Sequence, residues 1–374
     1  MYTIYTKNEQ FNFQINRFME PYKNNQAIQT KIIESVKPIQ DLESWYKVWN
    51  GLAIHELNNK NYGLASAYYQ LADFYLLESD SRKKNTYNNF KNSFYQSIDT
   101  KNINFDHIPY KQGYLPVAFF KNENATKTLI IHGGFDSYLE ELIRLVISYN
   151  FLTELQNYQI ILFEGPGQGE ALRSGLSLEL EWEEPVSAIL EYFQINEADL
   201  MGMSLGGFLA ARASAFQKKI KRVVLFDIMY DMSRSLTMKL PKMSQFLKEN
   251  LSPEESSKLN VIVSQLQKSD SSINFMVHKA KDIFQVDNNN ELFTRLSKFN
   301  MNNDWDKISQ DVLLLVGTKD MYVPYTDLYK EMSSMNNARS LTAKLFTEKS
   351  GGERHCQVGN KELAMSKIIE YLRE

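Results

Sequence analysis

The stretch that constrains this chain most is Gly202-Met203-Ser204-Leu205-Gly206-Gly207, set between a run at 198–201 that is apolar except for Asp199 and a proline-free, alanine-rich segment at 205–216. An apolar run that ends at a glycine and gives way to helix formers marks a buried strand passing directly into a helix. So sharp a turn leaves no room for side chains on either side of the serine, which accounts for glycine at 202 and 206. The serine is then held in a strained conformation that points its hydroxyl outward. The N–H of Leu205 falls in the first helical turn, where it can face a developing negative charge. Five residues of this pattern occur in many ordinary turns; the strand before and the helix after give them meaning here.

The same syntax recurs along the chain. Runs at 128–131, 159–163, 222–226 and 312–316, apolar throughout apart from the first residue of the first three, each end in a loop rich in glycine or acidic residues, and helical segments such as 139–149 and 184–193 lie between them. Runs without polar alternation belong to strands buried on both faces, and strands alternating with helices build a mostly parallel sheet with its sites at the carboxyl ends. Residues 107–122 alternate as an antiparallel hairpin would, and 341–347 reads as the last strand.

Two regions depart from this pattern. From about residue 11 to 99 the chain reads as helical: Leu42, Trp45, Trp49 and Leu52 recur at spacings of three and four, and Leu64, Tyr68 and Leu71 repeat the stripe after Asn61-Tyr62-Gly63. No third copy follows, so a helical bundle is expected and not a repeat array. Residues 232–306, helical and polar with a start at Ser252-Pro253, interrupt the strand–helix alternation as an insertion placed to act as a lid. The expected domains are therefore a helical one at 1–104 and an α/β one at 105–374 that carries the insertion.

Composition closes off several functions. Net charge is -3 and lysines and arginines are scattered, which argues against a nucleic-acid partner. The N-terminal residues lack a basic and apolar leader, and no apolar run reaches membrane-spanning length, so a cytoplasmic protein without membrane contact is expected. The single cysteine, Cys356, rules out internal disulfides and a cysteine-based zinc site. Residues Glu164-Gly165-Pro166-Gly167-Gln168-Gly169 match neither phosphate-binding fingerprint and read as a tight turn, so no cofactor is implied.

A serine hydroxyl attacks only when a base takes its proton and a third group holds that base. Of five histidines, only His278 and His355 follow Ser204, and His278 lies in the insertion, which leaves His355, in the loop after the last strand. Asp320, just past the 312–316 strand, is placed to be the acid. A second oxyanion donor is expected from His132-Gly133-Gly134-Phe135, with Gly134 and Phe135 both open as the partner of Leu205 and His132 structural. Glu164, Asp227 and Asp231 end or follow strands on the same rim and are candidates for substrate binding or an auxiliary acid, with bonding to loop backbone as the plainer role.

With these features in chain order, the chain from about residue 105 onward resembles an α/β-hydrolase. Phe163 to Gly169, Gly202 to Gly207 and the stretch Gly351-Gly352-Glu353-Arg354-His355-Cys356-Gln357 are similar to those of serine hydrolases with an N-terminal helical domain. That group includes 2,6-dihydroxypseudooxynicotine hydrolase, fungal Ayg-type polyketide-shortening hydrolases and FrsA-like esterases, and similar chains are described as acylaminoacyl-peptidase-like. The resemblance implies a Ser204, His355, Asp320 triad, with a small acyl compound or short peptide held between the helical domain and the core. A β-propeller filter is not expected, because about 100 helical residues cannot build one. Two alternatives stand beside ester or amide cleavage: hydrolysis of a carbon–carbon bond in a β-diketone-like substrate, with Asp227 or Asp231 as extra acid, and a non-catalytic binding protein on the same fold. Tyr- and Phe-rich helical surfaces also allow a homodimer.

Overall fold

The apolar runs become strands because side chains such as Ile130, Ile161, Leu200, Val224 and Leu314 are buried, and only a sheet covered on both faces can shelter them all. The computed structural model describes residues 2–374. Its strands are β1 (Asn104–Tyr110), β2 (Gly113–Phe120), β3 (Lys127–His132), β4 (Tyr158–Phe163), β5 (Ala198–Met203), β6 (Ile220–Phe226), β7 (Asp311–Gly317) and β8 (Ser340–Phe346). They form one sheet in the order β1-β2-β4-β3-β5-β6-β7-β8. β1 with β2 and β2 with β4 pair antiparallel, and the remaining pairs are parallel. β5 lies between β3 and β6, so the loops after these strands gather at one edge of the sheet.

The chain divides into two compact units: residues 2–101 with Ser257–Asp282, and Asn102–Ser256 with Ile283–Glu374. In the first, the helices Leu42–Asn58 and Tyr62–Phe74 carry the aromatic stripe read from the sequence. Trp45 and Trp49 are fully buried, Trp45 Nε1 donates to the Leu71 carbonyl at 2.6 Å, and Trp49 stacks on Tyr68 with centroids 5.7 Å apart. A buried ion pair, Lys83 to Asp73 at 2.7 Å, ties the next helix, Lys83–Ser97, to this pair.

The segment between β6 and β7 holds the helices Ser233–Lys239, Pro253–Ser269, Ser271–Phe284 and Asn289–Lys298. Its residues 257–282 group with the N-terminal helices and not with the sheet, because Phe275 packs on Tyr75 at 5.1 Å and Phe74 at 6.1 Å. That aromatic contact spans some two hundred positions, and helical periodicity carries no record of it.

Candidate active site

Ser204 is at φ 61° and ψ −127°, a conformation that costs a non-glycine residue on the order of 1–3 kcal/mol and is held by its surroundings. Its N–H donates to the Phe226 carbonyl at 2.6 Å. A Cβ at Gly202 would lie 1.9 Å from the Gly206 carbonyl oxygen, and one at Gly207 would lie 1.8 Å from that of Asp227. Glycine is therefore required on both sides. The helix that follows, Leu205–Phe216, is buried along nearly its whole length, and its N-terminal end adds a positive field beside the serine oxygen.

His355 Nε2 lies 2.7 Å from Ser204 Oγ, and His355 Nδ1 lies 2.6 Å from Asp320 Oδ2. With neutral imidazole, Nδ1–H donates to the carboxylate and Nε2 accepts the serine proton, the tautomer a general base requires. Asp320 is itself fixed: its Oδ1 accepts from the N–H groups of Tyr322 at 2.7 Å and Val323 at 2.9 Å. The Tyr322 ring stands edge-on to the imidazole with centroids 4.9 Å apart. Serine, histidine and aspartate thus come together in the geometry of a Ser-His-Asp triad.

A second carboxyl group sits behind the ring. Asp227 Oδ2 is 3.7 Å from His355 Nδ1 and accepts from Cys356 N–H at 3.1 Å, while its Oδ1 accepts from Ile228 N–H at 2.9 Å. Asp227 and Asp320 both face His355 Nδ1 with fully buried side chains, so ionising the two together is disfavoured. Burial, reinforced by the charge of Asp320, raises Asp227 well above the usual carboxylate range. Burial also opposes ionisation of Asp320, but the His355 charge and hydrogen bond outweigh it and leave Asp320 lowered. Of the two, Asp320 is the one that ionises more readily. Burial likewise disfavours charge on His355, and Asp320 overcomes it, so the imidazole is raised well above its ordinary value.

The loop after β3 lies against the elbow, the sharp strand-to-helix turn at Ser204: a Cβ at Gly134 would be 2.8 Å from the Leu205 nitrogen. The Gly134 N–H donates to Ser137 Oγ at 3.2 Å, and among the described residues the N–H groups of Phe135 and Leu205 have no such acceptor. His132 is fully buried, and that burial lowers its pKa to about 4. As a neutral ring, its Nδ1 donates to the Gly133 carbonyl at 3.0 Å and its Nε2 accepts from Trp182 Nε1 at 3.2 Å. Gln168 Nε2 donates to the carbonyls of both Gly133 (2.9 Å) and Gly134 (3.0 Å). Reading residues 164–169 as a tight turn overlooks Gln168 and Trp182; a lone amide between two glycines was the signal available.

The remaining acids bond to backbone. Glu164 accepts from the N–H groups of Leu139 at 2.8 Å and Glu170 at 2.6 Å, and burial with the nearby Glu140 charge pushes it up to about 7. Asp231 accepts from Ser233 Oγ and from Arg234 N–H at 3.1 Å, at the start of the helix Ser233–Lys239. Donor atoms of Asp227, His355 and Cys356 lie within 4.8 Å of one another, yet those of Asp227 and His355 are already engaged in the network around Asp320. No helix among the described residues is long and apolar enough to cross a membrane.

These features define a class. The chain belongs to the α/β hydrolase fold family, whose model matches residues 128–343. Among curated proteins it is 28% identical over 253 residues to the hydrolase acrC of Aspergillus aculeatus, a match covering 54% of this chain and 58% of that one. The chain spans less than two thirds of the length of the curated relatives it matches, from 24% to 62% for the first four. Among solved structures, 2,6-dihydroxy-pseudo-oxynicotine hydrolase aligns with TM-score 0.67 at 16% identity, covering 96% of this chain and 94% of that one. AbyA5 aligns with TM-score 0.70 at 13% identity over the same shares. At these identities the likeness is one of fold, and it extends through the N-terminal helices.

Proposed function

We propose that the protein is a serine hydrolase that cleaves an ester or amide bond of a small acyl or short-peptide substrate through an acyl-enzyme, in the manner of esterases and acylaminoacyl peptidases. The observation that carries this reading is the relay of 2.7 Å from Ser204 to His355 and 2.6 Å from His355 to Asp320, built on a strained elbow. Ser204 Oγ attacks the carbonyl carbon while its proton passes to His355 Nε2. Asp320 stabilises the imidazolium, and the N–H groups of Leu205 and Phe135 receive the carbonyl oxygen as it becomes an anion. The tetrahedral intermediate collapses, and the leaving alcohol or amine departs with the proton from His355. Water then repeats the sequence: His355 takes its proton, its oxygen adds to the acyl carbon, and Ser204 regains a proton as the acid is released.

Acyl hydrolysis is favoured over carbon–carbon cleavage by where the other carboxyls lie. Asp227 is on the Nδ1 side of the imidazole, away from the serine, and Asp231 is engaged with Ser233 and Arg234. Neither is an acid presented to substrate. One cysteine, buried and unpaired, supports a reducing compartment such as the cytoplasm. The test is turnover of p-nitrophenyl acyl esters and aminoacyl p-nitroanilides by wild type and Ser204→Ala. Turnover abolished in the variant is expected. A folded wild type inert to every member of the panel would count against the proposal.

A further inference from the structure

The two glycines before Phe135 give the loop after β3 a permissive backbone, yet oxyanion stabilisation needs one N–H held in one direction before substrate arrives. Something must hold the Gly134–Phe135 peptide. In a planar trans peptide the C=O and N–H point opposite ways, so anchoring the Gly134 carbonyl from behind aims the Phe135 N–H forward. Gln168 supplies that anchor. Its Nε2 donates one hydrogen to the Gly134 carbonyl at 3.0 Å and the other to the Gly133 carbonyl at 2.9 Å, and its Oε1 accepts from Gly165 N–H at 2.9 Å. Two carbonyls on one side and an N–H on the other fix which end of the amide is nitrogen. The side chain is 2% exposed, so water does not compete for these bonds.

The geometry points to Gln168 as the positioning residue of the oxyanion hole: its side-chain amide sets the Phe135 N–H by gripping the carbonyl of the same peptide unit. The inference rests on the acyl-hydrolase reading. The rest of the loop is arranged consistently. Gly133 is gripped a second time by His132 Nδ1, and Gly134 N–H is spent on Ser137 Oγ, whereas among the described residues the Phe135 N–H has no such acceptor. Gln168 also joins the 164–169 turn to the oxyanion loop, which gives that glycine-rich turn a purpose beyond reversing the chain. The competing view is that Gln168 serves its own turn through Gly165 alone, and the experiment separates the two.

Gln168→Glu is nearly isosteric and keeps the acceptor for Gly165, but it sets a carboxylate oxygen against two carbonyl oxygens. Expected is a 10- to 100-fold fall in kcat for p-nitrophenyl acetate with KM within threefold of wild type, because the affected bond forms only in the transition state. A crystal structure of the variant is expected to show the Gly134–Phe135 peptide turned. Unchanged kcat, a loss confined to KM, or the peptide in its wild-type orientation would overturn the assignment. Should Q168E not fold, Gln168→Met, neutral and of similar length, is measured the same way with the same outcomes deciding. Wild-type turnover in the same assay reports on the acyl-hydrolase reading by itself. If wild type proves inert to esters, that reading fails, while the peptide's orientation in the variant crystal still decides what Gln168 does.

Discussion

Replacing Gly134 by alanine puts a methyl group where the structure has no space for one. The added Cβ would lie 2.7 Å from the Met203 carbonyl oxygen, 2.8 Å from the Leu205 nitrogen and 3.1 Å from the Gly206 nitrogen, where ordinary contact begins at 3.4 Å. All three are backbone atoms of the elbow and cannot rotate aside, so the loop must retreat by about half an ångström or more, at a cost of about 1–3 kcal/mol in stability. A retreat of that size stretches a 2.9 Å hydrogen bond toward the limit of about 3.5 Å at which it is lost, and the methyl crowds the Leu205 N–H as well. Losing one oxyanion donor costs about a hundredfold to a thousandfold in kcat, or about 2.7–4 kcal/mol. The assay is the initial rate of p-nitrophenyl acetate hydrolysis at saturating substrate, with a thermal melt to confirm folding. Gly51→Ala, where the methyl meets nothing within 4 Å, is the control and should keep wild-type kcat. A folded G134A variant with kcat within threefold of wild type would refute the packing argument.

Two other predictions concern the buried acids. Asp320→Asn should lower kcat/KM at least a hundredfold, because an amide cannot hold the Nδ1–H tautomer or offset the imidazolium charge, whereas Asp227→Asn, replacing a carboxyl whose burial holds it well above the usual carboxylate range, should cost less than tenfold. Equal losses in the two variants, measured with one ester, would remove the assignment of roles. The pH dependence follows from His355, which works only when neutral and whose pKa is raised chiefly because Asp320 outweighs burial. Activity should therefore rise with pH through a midpoint above the ordinary histidine value of about 6.5, and that limb should move to lower pH in D320N. A wild-type midpoint below 6 would contradict the electrostatics.

The sheet, and the loops that bring Ser204, Asp320 and His355 together, were legible in the sequence because each rests on a local pattern. The run at 312–316 reads as a doubly buried strand, the glycine- and alanine-rich 205–216 as the helix that follows Ser204, and the order of Ser204, Asp320 and His355 follows from which loop each occupies. What was hidden depends on contacts between distant positions. Nothing near Asp227 says that it stands beside the same imidazole nitrogen as Asp320, almost a hundred residues on, and nothing near Gln168 says that its amide reaches back to Gly133 and Gly134. The proposed preference for Phe135 over Gly134 as donor rests on Ser137, whose hydroxyl accepts from the Gly134 N–H. Glu164 took its plainer role for a similar reason: two backbone N–H groups from separate segments converge on it.

The central claim is that Ser204 is an activated nucleophile. Incubating the protein with a fluorophosphonate and mapping the adduct by peptide mass spectrometry tests it most directly. The account predicts one equivalent bound to Ser204, no adduct in Ser204→Ala, and labelling slowed at least a hundredfold in His355→Ala. Folded protein that takes up no label, or takes it up at another residue, would contradict it.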